Sequence, residues 1–235
     1  MTDPLVLLPG LMADARVFLP QILALGADRA VTVAPLLGDT VEDMSAAALN
    51  GLPERFALAG QGLGGIVALD VLRRAPERLS RMVLIATDPL GDGPQAVSDR
   101  DRRIILARTG RLTQAMEAEL PSGAIAAVEA REEILWLVQE MAAALGEECY
   151  VAQARALQRR RDQQKTLRKA KLPILVLAGA EDMVVSPRRQ GFMVDLAPTA
   201  RLKTIEGAGH LPTLESPDAV THAMRAFLAG PLLLR

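Results

Sequence analysis

Residues 56–65 read Phe-Ala-Leu-Ala-Gly-Gln-Gly-Leu-Gly-Gly. Phe56–Ala59 is a short apolar run of β type, and Gly60, Gly62, Gly64 and Gly65 crowd the next six positions. An apolar helical pattern then continues to about Arg74. A strand that turns within two residues into a helix needs small residues where the backbones pass close. It also leaves the middle residue of the turn in a conformation that few side chains tolerate. Such a turn has two chemical uses. It lifts a nucleophile above a sheet, as in G-x-S-x-G, or it cradles a phosphate at a helix N-terminus. Taken alone it does not choose between them.

Working outward, short apolar runs alternate with amphipathic stretches. Strands are expected at Leu5–Leu8, Ala30–Ala34, Arg81–Ala86, Pro173–Ala178 and Leu202–Ile205. Helices are expected at Ala15–Leu25, Val41–Leu49 and Ala219–Leu228. This alternation predicts an α/β fold with a mostly parallel central sheet flanked by helices. Between Thr87 and Pro173 only helical signals occur, broken at Gly110, at Pro121-Ser122-Gly123 and at Gly146. A block of helices between two late strands predicts a cap over 98–171, with 1–97 and 172–235 forming the core. The cap would stand at the carboxyl edge of the sheet, where open parallel sheets bind ligands.

Three further segments fall at that edge. Leu7-Leu8-Pro9-Gly10-Leu11 is a tight turn after the first strand. With Leu63 at the start of the helix after Gly62, Leu11 supplies a pair of backbone N–H groups suited to an oxyanion hole. Asp182 follows the strand that ends near Ala178, and His210 sits in the loop Glu206-Gly-Ala-Gly-His210 after the last strand. The only other histidine, His222, lies in the closing helix and reads as a surface or packing residue. A turn, an acid and a histidine in this order remove the phosphate reading, and they match the nucleophile–acid–histidine order of one hydrolase architecture.

On these residues the whole chain resembles the α/β-hydrolase superfamily, in particular its small bacterial lid-bearing esterases and lactonases. Asp14-Ala-Arg-Val-Phe18, Ala75-Pro-Glu-Arg78, Gly179-Ala-Glu-Asp182 and Gly207-Ala-Gly-His210 carry the likeness beyond the turn. The chain begins almost at its first central strand, so the extra N-terminal hairpin of larger members is not expected. The resemblance implies a catalytic triad, an oxyanion hole at Leu11 and Leu63, and a small-molecule acyl ester or lactone as substrate, with no cofactor. One position departs from it: Gly62 stands where the family carries serine. Three accounts are open. The chain is an active-site mutant, a natural member that only binds, as a ligand-binding protein or sensor, or an enzyme whose Asp182–His210 dyad activates water without covalent catalysis. Asp88 is a secondary candidate for the acid. Gln61, Phe18 and Trp136 are candidate pocket walls, with core packing the competing role for the two aromatics.

Composition sets the remaining bounds. The 235 residues are half hydrophobic, enough for one domain with a full core. Lys plus Arg number 27 against 28 Asp plus Glu, a net charge of −1, which argues against nucleic-acid binding. Arg159-Arg160-Arg161 reads as a solvated helix face. The single Cys149 excludes an intrachain disulfide and sits in a helical pattern that suits packing. No Cys/His cluster has metal spacing, no signal peptide precedes the first strand, and the closing Pro-Leu-Leu-Leu-Arg is too short for a membrane anchor. The expected location is the cytoplasm.

Overall fold

The computed structural model describes residues 3–231, which leaves most of the C-terminal Pro-Leu-Leu-Leu-Arg outside the described residues. Strands β1 (Leu5–Leu8), β2 (Val31–Val33), β3 (Phe56–Gln61), β4 (Leu79–Ile85), β5 (Ile174–Gly179) and β6 (Ala200–Ile205) form one sheet in the order β2-β1-β3-β4-β5-β6. Every pairing is parallel. Side chains alternate across it. Leu5, Leu7, Ala57, Ala59, Val83, Ile85, Leu175 and Leu177 enter one core layer. Val6, Leu8, Phe56, Leu58, Met82, Leu84, Ile174 and Val176 enter the other. A sheet buried on both faces explains why these segments read as continuous apolar runs rather than as alternating ones. Each fully buried Leu or Val contributes about 1.5–3 kcal/mol of transfer free energy.

Helices α1 (Leu19–Leu25), α2 (Val41–Gly51) and α3 (Leu63–Arg74) follow β1, β2 and β3 in the connections between strands. The chain leaves β1 toward β2 on one side and returns to place β3 on the other. The carboxyl ends of β1 and β3 therefore flank the switch point of the sheet, where a crevice opens.

Between β4 and β5 lie α4 (Pro94–Arg108), α5 (Leu112–Glu119), α6 (Arg131–Arg159) and α7 (Gln164–Arg168), with no strand among the described residues. The first helix starts at Pro94, four residues ahead of Ser98, because a proline at the first helical position loses no hydrogen bond. Gly146 does not end its helix. It kinks α6 at φ 81°, ψ 171°, a backbone state that glycine alone adopts readily. Residues 15–25 are not one helix either: a 3-10 turn, Ala15–Phe18, precedes α1, with Asp14 capping it through the Arg16 N–H. After β5 come α8 (Pro187–Leu196), α9 (Pro212–Glu215) and α10 (Pro217–Ala229). No helix among the described residues is long and apolar enough to cross a membrane.

Candidate active site

Gly62 occupies the single residue between β3 and α3, with φ 54° and ψ −117°. The surroundings impose this conformation. The Gly62 N–H donates to the Ile85 carbonyl at 2.9 Å, and the Thr87 hydroxyl donates to the Gly62 carbonyl at 2.8 Å. A Cβ at Gly64 would run into the Leu8 carbonyl, and one at Gly60 into the Gly64 carbonyl, so α3 packs directly on the strands. At Gly62 itself a Cβ meets no clash. It would stand 3.8 Å from the Gly10 Cα and 3.9 Å from His210 Nε2.

His210 therefore faces the turn with one ring nitrogen. The other, Nδ1, lies 3.1 Å from each carboxylate oxygen of Asp182. Asp182 is buried, and its remaining capacity is filled: Oδ1 accepts from the Val184 and Val185 N–H groups at 2.9 Å, and Oδ2 from Gln190 Nε2 at 2.9 Å. A carboxylate held this way has one orientation to offer the imidazole. Asp88 does not compete for it, because its carboxylate is taken by Arg189 at 3.2 Å and by the Leu90 N–H at 2.8 Å.

The loop carrying His210 is built around Glu215, which pattern reading passed over. Its buried carboxylate accepts the N–H groups of Gly209 at 2.7 Å, Leu211 at 2.6 Å and Ala126 at 2.6 Å. The first two flank His210, and the third comes from the helical block. The His210 N–H in turn donates to the Ala124 carbonyl at 2.9 Å. Gln61 ties β3 to the same loop: its Oε1 accepts from the Thr213 hydroxyl at 2.8 Å, and its Nε2 donates to the His210 carbonyl at 3.5 Å.

A cavity of about 380 Å³ opens above Gly62. Leu11, Leu63, Gln61 and His210 line it, and so do residues of the helical block. No acceptor among the described residues takes the Leu11 or Leu63 N–H. The turn after β1 is braced from above, since the Met12 N–H donates to Gln153 Oε1 at 2.8 Å while Met12 sits at φ 50°.

Two expected wall residues are absent from the cavity. Phe18 is fully buried in the core, and its neighbour Val17 faces the cavity instead. Trp136 points outward, 63% exposed, because its position on α6 lies opposite the buried Ile134, Val138 and Met141. The arginine run divides as well. Arg159 and Arg161 are exposed, but the Arg160 side chain is only 8% exposed, because the chain leaves the helix there at φ −59°, ψ 138°. Its guanidinium meets Asp92 at 2.8 Å and the Leu90 carbonyl at 2.8 Å, and burial draws its pKa below the usual arginine range. Cys149 is half-buried against the core, and burial pushes its thiol pKa up. His222 is exposed.

This arrangement, a strained strand-to-helix turn facing an Asp–His pair at the switch point of a parallel sheet, has a match. A model of the alpha/beta hydrolase family covers residues 5–223. The chain belongs to that family. Among relatives of this hydrolase is a pimeloyl-[acyl-carrier protein] methyl ester esterase of Nitrosomonas europaea, 26% identical over 187 residues, 77% of this chain and 74% of that one. Another of the same name, from Aromatoleum aromaticum, is 29% identical over 90% of this chain and 87% of its own. A thermophilic esterase from Thermogutta terrifontis, solved with malate bound, superposes with a TM-score of 0.86 at 26% identity, covering 96% of this chain and 89% of that one. The enol-lactonase of Burkholderia xenovorans LB400 shares the fold, with a TM-score of 0.86 at 23% identity over 98% and 92% of the two chains.

The hydrolase also buries Tyr150, whose hydroxyl donates to Glu119 Oε1 at 2.9 Å. Burial first, and the neighbouring Glu119 carboxylate second, hold that phenol well above its usual pKa. Tyr150→Phe should lower stability by about 1.5–3 kcal/mol, the range for a hydrogen bond to a charged group. Urea unfolding checks this, and an unchanged midpoint would show that the bond contributes nothing.

Proposed function

We propose that the cavity is the active site of a serine-type carboxylic ester or lactone hydrolase in which glycine stands at the nucleophile position. The observation that carries this reading is the 3.9 Å between a Cβ at position 62 and His210 Nε2, with the opposite ring nitrogen on Asp182. A serine at 62 would attack the ester carbonyl. His210 would take its proton and later deliver it to the leaving alcohol, while Asp182 fixes the tautomer and stabilises the imidazolium. The N–H groups of Leu11 and Leu63 would receive the oxyanion. The helical block over 98–171 acts as the cap that closes the cavity above the reacting carbonyl. The likeness to methyl ester esterases supports an ester substrate. With glycine at 62 the chain binds such an ester and forms no acyl-enzyme.

A fluorophosphonate probe tests the assignment directly. The chain as written should stay unlabelled, since glycine offers no nucleophile. Gly62→Ser should take up one label at position 62, and Gly62→Ser with His210→Ala should react far more slowly. Rapid labelling of the unaltered chain at another side chain would place the nucleophile elsewhere and overturn the reading.

A further inference from the structure

The cavity above Gly62 has a charged side that ester hydrolysis by a triad does not require. Arg100 and Arg103 of α4, Glu119 of α5, Arg160 just after α6 and Asp92 before α4 all line it. Asp92 accepts from Arg160 at 2.8 Å and Arg100 at 3.4 Å. Glu119 accepts from Arg100 at 3.0 Å, from Arg103 at 2.7 Å and from the Tyr150 hydroxyl. Three guanidiniums thus share two carboxylates. The nearby Asp88–Arg189 pair, also lining the cavity, balances itself. Side-chain exposure is only 10% for Arg100, 24% for Arg103 and 8% for Arg160. A surplus positive charge in a largely desolvated wall is costly unless an anion meets it. Guanidinium N–H donors also outnumber the four carboxylate oxygens there, because each guanidinium carries about five.

We propose that this arginine wall is a carboxylate-binding subsite, so that the substrate is a small ester or lactone carrying a free carboxylate away from the scissile bond. The surplus is one charge, which a carboxylate cancels and a phosphate dianion overshoots. The planar fork of Arg103, with Glu119 on one edge only, suits a second carboxylate on the other edge. Methionines and aliphatic side chains at Met12, Met116, Val138 and Met141 line the same cavity and suit a methylene spacer. This substrate class rests on the ester-hydrolase reading of the site.

Calorimetric titration of the chain as written tests it, because glycine at 62 allows binding without turnover. Monomethyl adipate should bind about 10- to 100-fold more tightly than methyl hexanoate, the ratio one charge-assisted hydrogen bond or two supplies. A phosphonate in place of the adipate carboxylate should bind less tightly. In Arg103→Gln the adipate preference should shrink several-fold, whereas Arg103→Lys should keep much of it. Equal affinity for the two methyl esters would overturn the proposal. So would a preference for the phosphonate, or one that Gln and Lys reduce alike. An inert Gly62→Ser would count against the ester-hydrolase reading, whereas equal affinities count against the carboxylate subsite alone.

Discussion

Gly62→Ser should turn over activated esters at least about 10⁴-fold faster than the unaltered chain, since under the proposed mechanism it restores one member of a strongly coupled triad and so recovers most of its rate. The geometry is already in place. A Cβ at 62 fits without collision, 3.9 Å from His210 Nε2, and the hydroxyl one bond further on comes within the reach of general-base catalysis, about 2.6–3.2 Å. Neither the His210–Asp182 pair nor the backbone at 62 relies on a side chain there, because Ile85, Thr87 and the packed glycines hold the turn. The same substitution should lower the thermal midpoint. A non-glycine residue at φ 54°, ψ −117° carries about 1–3 kcal/mol of backbone strain, which glycine largely escapes. Steady-state hydrolysis of p-nitrophenyl acetate and a thermal melt measure both effects. Adding His210→Ala should abolish the gain. A folded Gly62→Ser protein inert across acyl esters and lactones would favour a protein that only binds.

Glu215→Ala should be the most destabilising single change near the site, at about 3–5 kcal/mol. Three backbone N–H groups lose a charged acceptor at once, and each buried donor left unsatisfied costs about 1–3 kcal/mol. Part of that is recovered where water enters the site. Glu215→Gln should also be destabilising, because its amide turns a donor toward one of those N–H groups. Guanidinium unfolding at an unchanged slope reads the loss. In the serine-restored protein, turnover should fall with it, since Gly209 and Leu211 fix the backbone on either side of His210. A loss below about 1 kcal/mol would mean that water replaces the carboxylate at no cost.

The fold was legible because its central strands are buried on both faces and appear as apolar runs such as Leu5–Leu8 and Met82–Ala86. Gly62 and His210 were legible because turn chemistry and chain order single them out, and Asp182 because it follows a strand end. Glu215 was not. A glutamate that accepts three backbone N–H groups has the same letter as one on a solvated helix. Arg160 was misplaced because a helix-face pattern does not register where the chain leaves the helix. Arg100 and Arg103 stand among ordinary surface charges of α4, and only the packing of α5 beside them turns them inward. Apolar character makes Trp136 and Phe18 candidate walls in the sequence, but position on the helix or turn decides which way a large side chain points.

The links from Ala124 and Ala126 to the His210 loop bear on how freely this architecture can be recombined. One carbonyl and one N–H of the helical block complete the bonding of the loop that carries the histidine. Residues 124–126 consequently belong, energetically, with the core rather than with the helices on either side. An engineer exchanging the helical block between relatives would have to place the crossovers outside this tripeptide, or supply a donor and an acceptor at the same two points. A graft that omitted them would loosen the histidine even if Asp182 and His210 were kept. Amide exchange gives the same grouping a physical meaning: the amides of Ala126, Gly209, His210 and Leu211 should open together, as one cooperative unit spanning both parts of the chain.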